Sequence, residues 1–286
     1  MPLELAISPC PNDTFTFHGL LTGAVRIAGE RDVSIVLADV EQLNAGLAAG
    51  RFDAAKASFA AALRLADECV VLTAGSALGF GVGPLLLAAP GRAQHLDARG
   101  LIPANARVLL PGEHTTAHLL YRLFHAGEGR VEQVPFSSIL PALARGEADF
   151  GVCIHEGRFT WQSYGLELVQ DVGQAWERHA SSPLPLGGIL ARKRLGAVRL
   201  TALDSAVRAS LDYARAHPDD AFRTMRVHAQ EQGDEALWKH VELYVNAWTR
   251  DLGTEGREAL RRIASCARVS GWMREDTPEL DVLQPR

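Results

Sequence analysis

The stretch Asp149–Tyr164, DFGVCIHEGRFTWQSY, decides how the rest of the chain is read. Its apolar run, Phe150-Gly151-Val152-Cys153-Ile154, stops at a polar cluster of His155, Glu156, Arg158 and Thr160. Short apolar runs bounded by turn residues are consistent with buried parallel strands. In open α/β sheets, ligands gather at the carboxyl ends of such strands. The spacing therefore predicts His155 at a strand end beside a cleft, where an imidazole can gain or lose a proton near neutral pH. A structural histidine satisfied at the rim of the core is the other reading of the same spacing.

Working outward, the same alternation recurs on both sides. Upstream, Arg107–Leu110 reads as a strand, and Pro111-Gly112-Glu113-His114-Thr115-Thr116 leads into a helix over Ala117–Phe124. Val131–Val134, a helix over Ile139–Arg145 and a strand over Ala148–Ile154 follow. Thr115 and Thr116 are ordinary N-caps, yet their hydroxyls and the backbone N–H groups of a helix start also suit a carboxylate.

The N-terminal part repeats this logic. Leu3–Ile7 is a strand, and two prolines stiffen the loop Ser8-Pro9-Cys10-Pro11-Asn12-Asp13-Thr14. Asn12, Asp13 or Thr14 would cap a helix running to Gly23 and offer an anion or carbonyl site, although a plain βα turn has the same pattern. Val33–Ala38 is a second strand, Val40–Ala48 a helix, Phe52–Ala57 a third strand, and Ser58 an N-cap for Phe59–Ala66. Lys56 stands out as a lone cation in an apolar strand-to-helix junction. An unpaired buried ammonium is too costly, so it must reach water, a carboxylate or a bound anion. The expectation is a pairing with ligand rather than protein. Val70–Thr73 and Pro84–Ala88 are further strands, around a glycine-rich segment, Gly75–Gly83, that is not a dinucleotide fingerprint.

Downstream, Gly187–Ala191 is a strand, followed by helices over Leu200–Ala216, Asp219–Gln230, Glu235–Thr249 and Thr254–Cys266 and a loose Asp-, Glu- and Pro-containing tail. Alternating strands and helices imply α/β layers. Crossings near Leu87 and Gly188 divide the chain into a discontinuous first lobe, residues 1–88 and 190–286 with the C-terminal helices, and a second lobe, residues 89–189. A ligand cleft would lie between them.

Composition narrows the function classes. The 286 residues are 47% hydrophobic and 22% charged with a net charge of −5, an ordinary globular balance. Without a Lys/Arg run, neither nucleic acid nor an anionic membrane is an expected partner. No stretch approaches the ~20 apolar residues of a spanning helix, and the N-terminus carries no signal-peptide pattern. Cys10, Cys69, Cys153 and Cys266 have no metal-type spacing, which suits a reduced, cytoplasmic protein without a metal site. Cys10 lies in a loop with no histidine close in sequence to activate it.

Five segments together carry a resemblance. Ser8–Phe15, Lys56-Ala57-Ser58-Phe59, Pro111-Gly112 with Thr115-Thr116, Ile154–Thr160, and Leu184-Pro185-Leu186-Gly187-Gly188 resemble the 1,4-dihydroxy-6-naphthoate synthase family of the futalosine route to menaquinone. The likeness extends to Asp251–Gly256 and so spans most of the chain. It implies a two-lobed fold like periplasmic binding proteins of the second type. It also implies a carbon–carbon lyase that splits cyclic dehypoxanthinyl futalosine, a small-molecule carboxylate, into 1,4-dihydroxy-6-naphthoate and dihydroxyacetone with no redox cofactor. By the same likeness His155 matches the catalytic base. Lys56, Ala57 and Ser58 match one substrate-binding segment, and Thr115 and Thr116 another. Trp161 and Trp248 stand where the family leads one to expect tyrosine.

Two alternatives share the architecture. A solute-binding protein of a transporter would bind without chemistry, and turnover against simple binding separates the two. The sister chorismate dehydratase is the second, against which the Ser8–Phe15 and His155 motifs count. Oligomeric state is left open.

Overall fold

A computed structural model describes residues 2–155, 157–229 and 233–284. The chain begins β1 (Leu3–Ile7), α1 (Pro11–Thr16), α2 (His18–Leu21), β2 (Val33–Leu37), α3 (Val40–Ala48), β3 (Ala54–Ser58), α4 (Phe59–Arg64), β4 (Cys69–Val71) and β5 (Ala77–Gly79). It continues β6 (Leu85–Ala88), β7 (Arg107–Leu110), α5 (Thr116–Phe124), β8 (Arg130–Gln133), α6 (Phe136–Ala144), β9 (Phe150–Cys153) and α7 (Gly157–Thr160). Then come β10 (Glu167–Asp171), α8 (Val172–Ala180), β11 (Leu184–Arg192), α9 (Gly196–Ala216), α10 (Pro218–His228) and α11 (Asp234–Tyr244). The last two helices are α12 (Ala247–Arg250) and α13 (Gly253–Val269).

The strands form two sheets of the same plan. The first runs β2-β1-β3-β11-β4, with β5 also pairing β11, and the second runs β8-β7-β9-β6-β10. In each, three strands are parallel, and the fourth, β11 or β6, is antiparallel to both neighbours. That antiparallel strand is the one each crossing delivers into its sheet. The ends of β3 and β9 are therefore equivalent places in two facing halves, and both open on the space between them.

The sheet memberships correct the expected lobe boundaries. The expected first lobe includes Leu85–Ala88, yet this strand is hydrogen-bonded between β9 and β10 in the second sheet. β11 enters the first sheet at Leu184, ahead of the expected 190. Strand β10 and helix α8 were not expected. Glu167–Asp171 is a half-exposed edge strand with little apolar content, which gives no period to read. Helix α8 did carry a signal: Asp171 accepts from the Gln174 N–H at 2.9 Å as N-cap, ahead of buried Val172, Ala175, Trp176 and Ala180.

Small residues let the layers close. β3 reads Ala-Ala-Lys-Ala-Ser and is buried throughout. In β9 a Cβ on Gly151 would lie 2.8 Å from Ile139 Cγ2, so only glycine lets α6 sit this close. The first helix also starts earlier than expected: Cys10 is the N-cap position and Pro11 the first turn, leaving Asn12, Asp13 and Thr14 inside the helix. The expected helix over Glu235–Thr249 breaks at Val245, and Asn246 caps α12 by accepting from the Trp248 N–H at 3.0 Å. The end expected at Gln230 lies outside the described residues.

α10 and α11 pack with α9 around Phe15 of α1, in a cluster holding Leu211, Met225 and Val241. That brings α11 to the edge of the first sheet's cleft face. The tail is not loose. Trp272 is buried and its indole N–H donates to Ala60 O at 3.1 Å, while Val282 bridges to Val71 of β4. Among the described residues no helix is long and apolar enough to cross a membrane.

Candidate active site

The space between the sheets is a cleft of about 730 Å³, counting its open mouth. Its walls come from the strand ends the sequence singled out: Lys56, Ala57 and Ser58 at the end of β3, Thr115 and Thr116 at the start of α5, and His155 after β9. Asn12 and Asp13 of α1 complete this floor. Thr14 does not join them. It is fully buried, and its hydroxyl donates to Cys10 O at 3.1 Å, because a threonine inside a helix bonds back to the preceding turn.

Lys56 is not a lone cation. Its Nζ lies 2.5 Å from Asp13 Oδ1 and 3.1 Å from Gly75 O, and both side chains are nearly fully buried. The pairing expected with ligand is made by the protein. A buried ammonium keeps its charge only with such a partner, and here the partner is itself satisfied. Asp13 Oδ1 also accepts from Asn12 Nδ2 at 3.0 Å, and Oδ2 accepts from the Ser8 hydroxyl at 2.7 Å. Lysine has three N–H donors and two are used here, so the third is available to the cleft.

Asn12 extends the network to a residue that the sequence reading did not single out. His240 of α11 donates from Nε2 to Asn12 Oδ1 at 2.9 Å. Burial, with the nearby His155 and Lys56 adding to it, pushes the His240 imidazole down to about 3, so the ring is neutral. Its Nδ1 has no hydrogen-bond partner. Leu237, His240, Val241 and Tyr244 fall on one buried face of α11, so a histidine on an apolar helical face was the available signal. His240 and Tyr244 both line the cleft.

Ser58 stands at the N-cap position of α4 without capping it. Instead Asn44 holds it at both ends, accepting from the Ser58 N–H at 3.0 Å and donating to its hydroxyl at 3.3 Å. Thr115 caps α5, accepting from the His118 N–H at 3.2 Å. The Thr116 hydroxyl donates to Leu186 O of β11 at 2.7 Å, a contact from the second half of the molecule to the first.

His155 sits two residues beyond Cys153, the end of β9, with φ +55°, a backbone region that non-glycine residues seldom take. Phe136 packs on its ring at 4.9 Å between centroids, and the His240 ring lies nearly parallel at 6.5 Å. Its Nδ1 is 3.6 Å from Cys10 Sγ on the opposite side of the cleft. The sequence reading gave Cys10 no histidine because the nearest one in space is 145 residues away. Arg158 of the polar cluster donates to Asp171 Oδ2 at 2.6 Å and Gly83 O at 2.7 Å and so anchors α7 to its own lobe. Glu156 lies outside the described residues. Neither Trp161 nor Trp248 lines the cleft; Trp248 packs edge-on to Phe80 instead.

An imidazole, an ammonium on a fixed carboxylate, and hydroxyls beside a helix start thus converge on one cleft. Such a set can take a proton, hold an anionic group and polarise oxygens. A family model described as menaquinone biosynthesis matches residues 3–268. A Thermus thermophilus protein named 1,4-dihydroxy-6-naphtoate synthase is 47% identical over 94% of this chain and 95% of its own. A Streptomyces coelicolor protein of the same name is 40% identical over 94% of each. A Candida albicans protein, solved and described as having the generic periplasmic binding protein fold, superposes with TM-score 0.71 at 11% identity, covering 100% of this chain and 98% of that one.

Proposed function

The chain belongs to the menaquinone biosynthesis family, among the 1,4-dihydroxy-6-naphthoate synthases, and from that premise we propose the reaction it carries out. It takes cyclic dehypoxanthinyl futalosine and releases 1,4-dihydroxy-6-naphthoate and dihydroxyacetone, as a carbon–carbon lyase of the cytoplasm with a small carboxylate as its substrate. The observation that carries this reading is the place of His155: at the end of β9, facing the strand end that holds Lys56 across a two-lobed cleft.

His155 is the general base in this reading. It accepts a proton from the substrate as the carbon–carbon bond breaks, and formation of the aromatic ring supplies driving force. A positioned base of this kind contributes about 10²–10⁴-fold. The third N–H of Lys56 and the hydroxyl of Ser58 would hold substrate oxygens, while the first turn of α5 at Thr115 and Thr116 would hold the carboxylate. The cross-cleft contacts at Thr116 and Cys10 support closure over the substrate, which excludes water from the reacting centre.

A binding protein without chemistry is the second reading, favoured by the fold alone. One experiment separates them. Purified protein is incubated with cyclic dehypoxanthinyl futalosine, and the naphthoate is sought by mass spectrometry. Catalytic accumulation of the naphthoate supports the synthase; stoichiometric binding of unchanged substrate overturns it.

A further inference from the structure

On the reading that His155 is the base, we infer that Cys10 is its positioning residue, reaching across the cleft to fix which ring nitrogen carries the proton. Four observations converge. Cys10 Sγ lies 3.6 Å from His155 Nδ1, within hydrogen-bonding reach for sulfur. Cys10 is itself held: its N–H donates to Ser8 Oγ at 3.3 Å, and its carbonyl accepts from the Thr14 hydroxyl at 3.1 Å. Ser8 in turn donates to Asp13 Oδ2 at 2.7 Å, so the backbone that carries the thiol is tied to the same carboxylate that holds Lys56. On the histidine side, Phe136 packs against the ring, and the backbone sits at φ +55°, a conformation held only where the surroundings impose it.

The chemistry of the contact follows from the two groups. A histidine tautomer is set by the hydrogen bond its other nitrogen makes. With Nδ1–H directed at sulfur, Nε2 keeps its lone pair and is the atom that takes the substrate proton. A thiol is a weak, uncharged acceptor. It orients the ring without the strong attraction a carboxylate would exert on the imidazolium, so the proton taken up can be released again. Of the other cysteines, Cys153 is the buried last residue of β9, where burial pushes its thiol up to about 12, and Cys266 meets His179 at 3.8 Å away from the cleft.

The test uses the full chain and three variants, Cys10→Val, Cys10→Ser and His155→Asn, with cyclic dehypoxanthinyl futalosine as substrate. Valine fills space without hydrogen bonding; serine hydrogen-bonds without filling the space. We expect Cys10→Val to lower kcat roughly three- to tenfold at unchanged KM, the worth of one ordinary hydrogen bond. Cys10→Ser should recover most of that loss. Side-chain nitrogen NMR of His155 should show the Nδ1–H tautomer in the wild type and a mixture in Cys10→Val. A wild-type ring protonated at Nε2 overturns the inference, even if Cys10→Val fails to fold. So does wild-type kcat in Cys10→Val, or a Cys10→Ser variant as slow as Cys10→Val, which would assign Cys10 to packing. Full turnover in His155→Asn would instead remove the base itself. An inactive His155→Asn beside a normal Cys10→Val removes only the role of Cys10.

Discussion

His114 and Glu41 join the two lobes at the rim of the cleft: His114 Nδ1 lies 2.7 Å from Glu41 Oε1, and the His114 N–H donates to the same carboxylate at 3.2 Å. Gly112 makes this approach possible. It sits at φ +135°, and a Cβ there would be 2.7 Å from Glu41 Oε2. Partly exposed pairs are worth ~0.2–1 kcal/mol. Glu41→Gln should therefore raise KM roughly two- to fivefold and let the ligand-free molecule open, read as a larger radius of gyration in solution scattering. Unchanged KM and radius would mean the pair does not hold the lobes.

Lys56→Met should be destabilising. The substitution strands the Asp13 carboxylate in a buried site, a loss of ~3–5 kcal/mol for a broken buried pair. Asp13→Asn in the same chain should recover much of the stability while leaving substrate binding weak. Urea unfolding of the single and double variants measures this. A Lys56→Met protein as stable as wild type would contradict the 2.5 Å ion pair.

Thr115→Ala with Thr116→Ala should raise KM and leave kcat within a few-fold, since binding common to ground and transition states is lost. Thr115 carries an added cost of ~0.5–2 kcal/mol because its hydroxyl caps α5. Steady-state kinetics beside a melting curve separates the two effects. A wild-type KM in the double variant would put the substrate carboxylate elsewhere.

His155→Asn keeps size and polarity but removes the base. Turnover should fall by ~10²–10⁴-fold with binding retained and the melting temperature little changed. In the wild type, kcat should decline on the acid side, as the imidazole takes up a proton and can no longer accept one. A stable variant with kcat within a few-fold of wild type would take His155 out of the mechanism.

His240 makes stability pH-dependent. Its folded-state value of about 3 lies below the ordinary 6.5, so between these pH values the unfolded chain binds a proton that the folded chain refuses. Stability therefore rises with pH across that window, by up to ~1.4 kcal/mol per unit, and this contribution is constant above it. His18 and His118, lowered chiefly by burial, act in the same direction. His240→Gln retains a donor for Asn12 and should flatten the slope between pH 4.5 and 6.5 in urea titrations. An unchanged slope would assign acid sensitivity to other groups.

The sequence by itself determined the layered α/β fold and the strand ends on which the cleft is built. The mostly apolar runs Phe150–Ile154 and Phe52–Ala57 announce buried strands, and the polar residues that follow, His155 and Ser58, mark where each meets the cleft. Both signals are local, carried by neighbours a few positions apart. What the tertiary structure decided is whom each polar group meets. Lys56 finds Asp13 at a separation of 43 residues, His114 finds Glu41 at 73, Cys10 finds His155 at 145, and His240 finds Asn12 at 228. No periodicity relates such positions. They meet because two sheets of one plan face each other and the C-terminal helices fold back onto α1. Once they are buried there, the cost of an unpartnered charge or dipole selects the pairs that form.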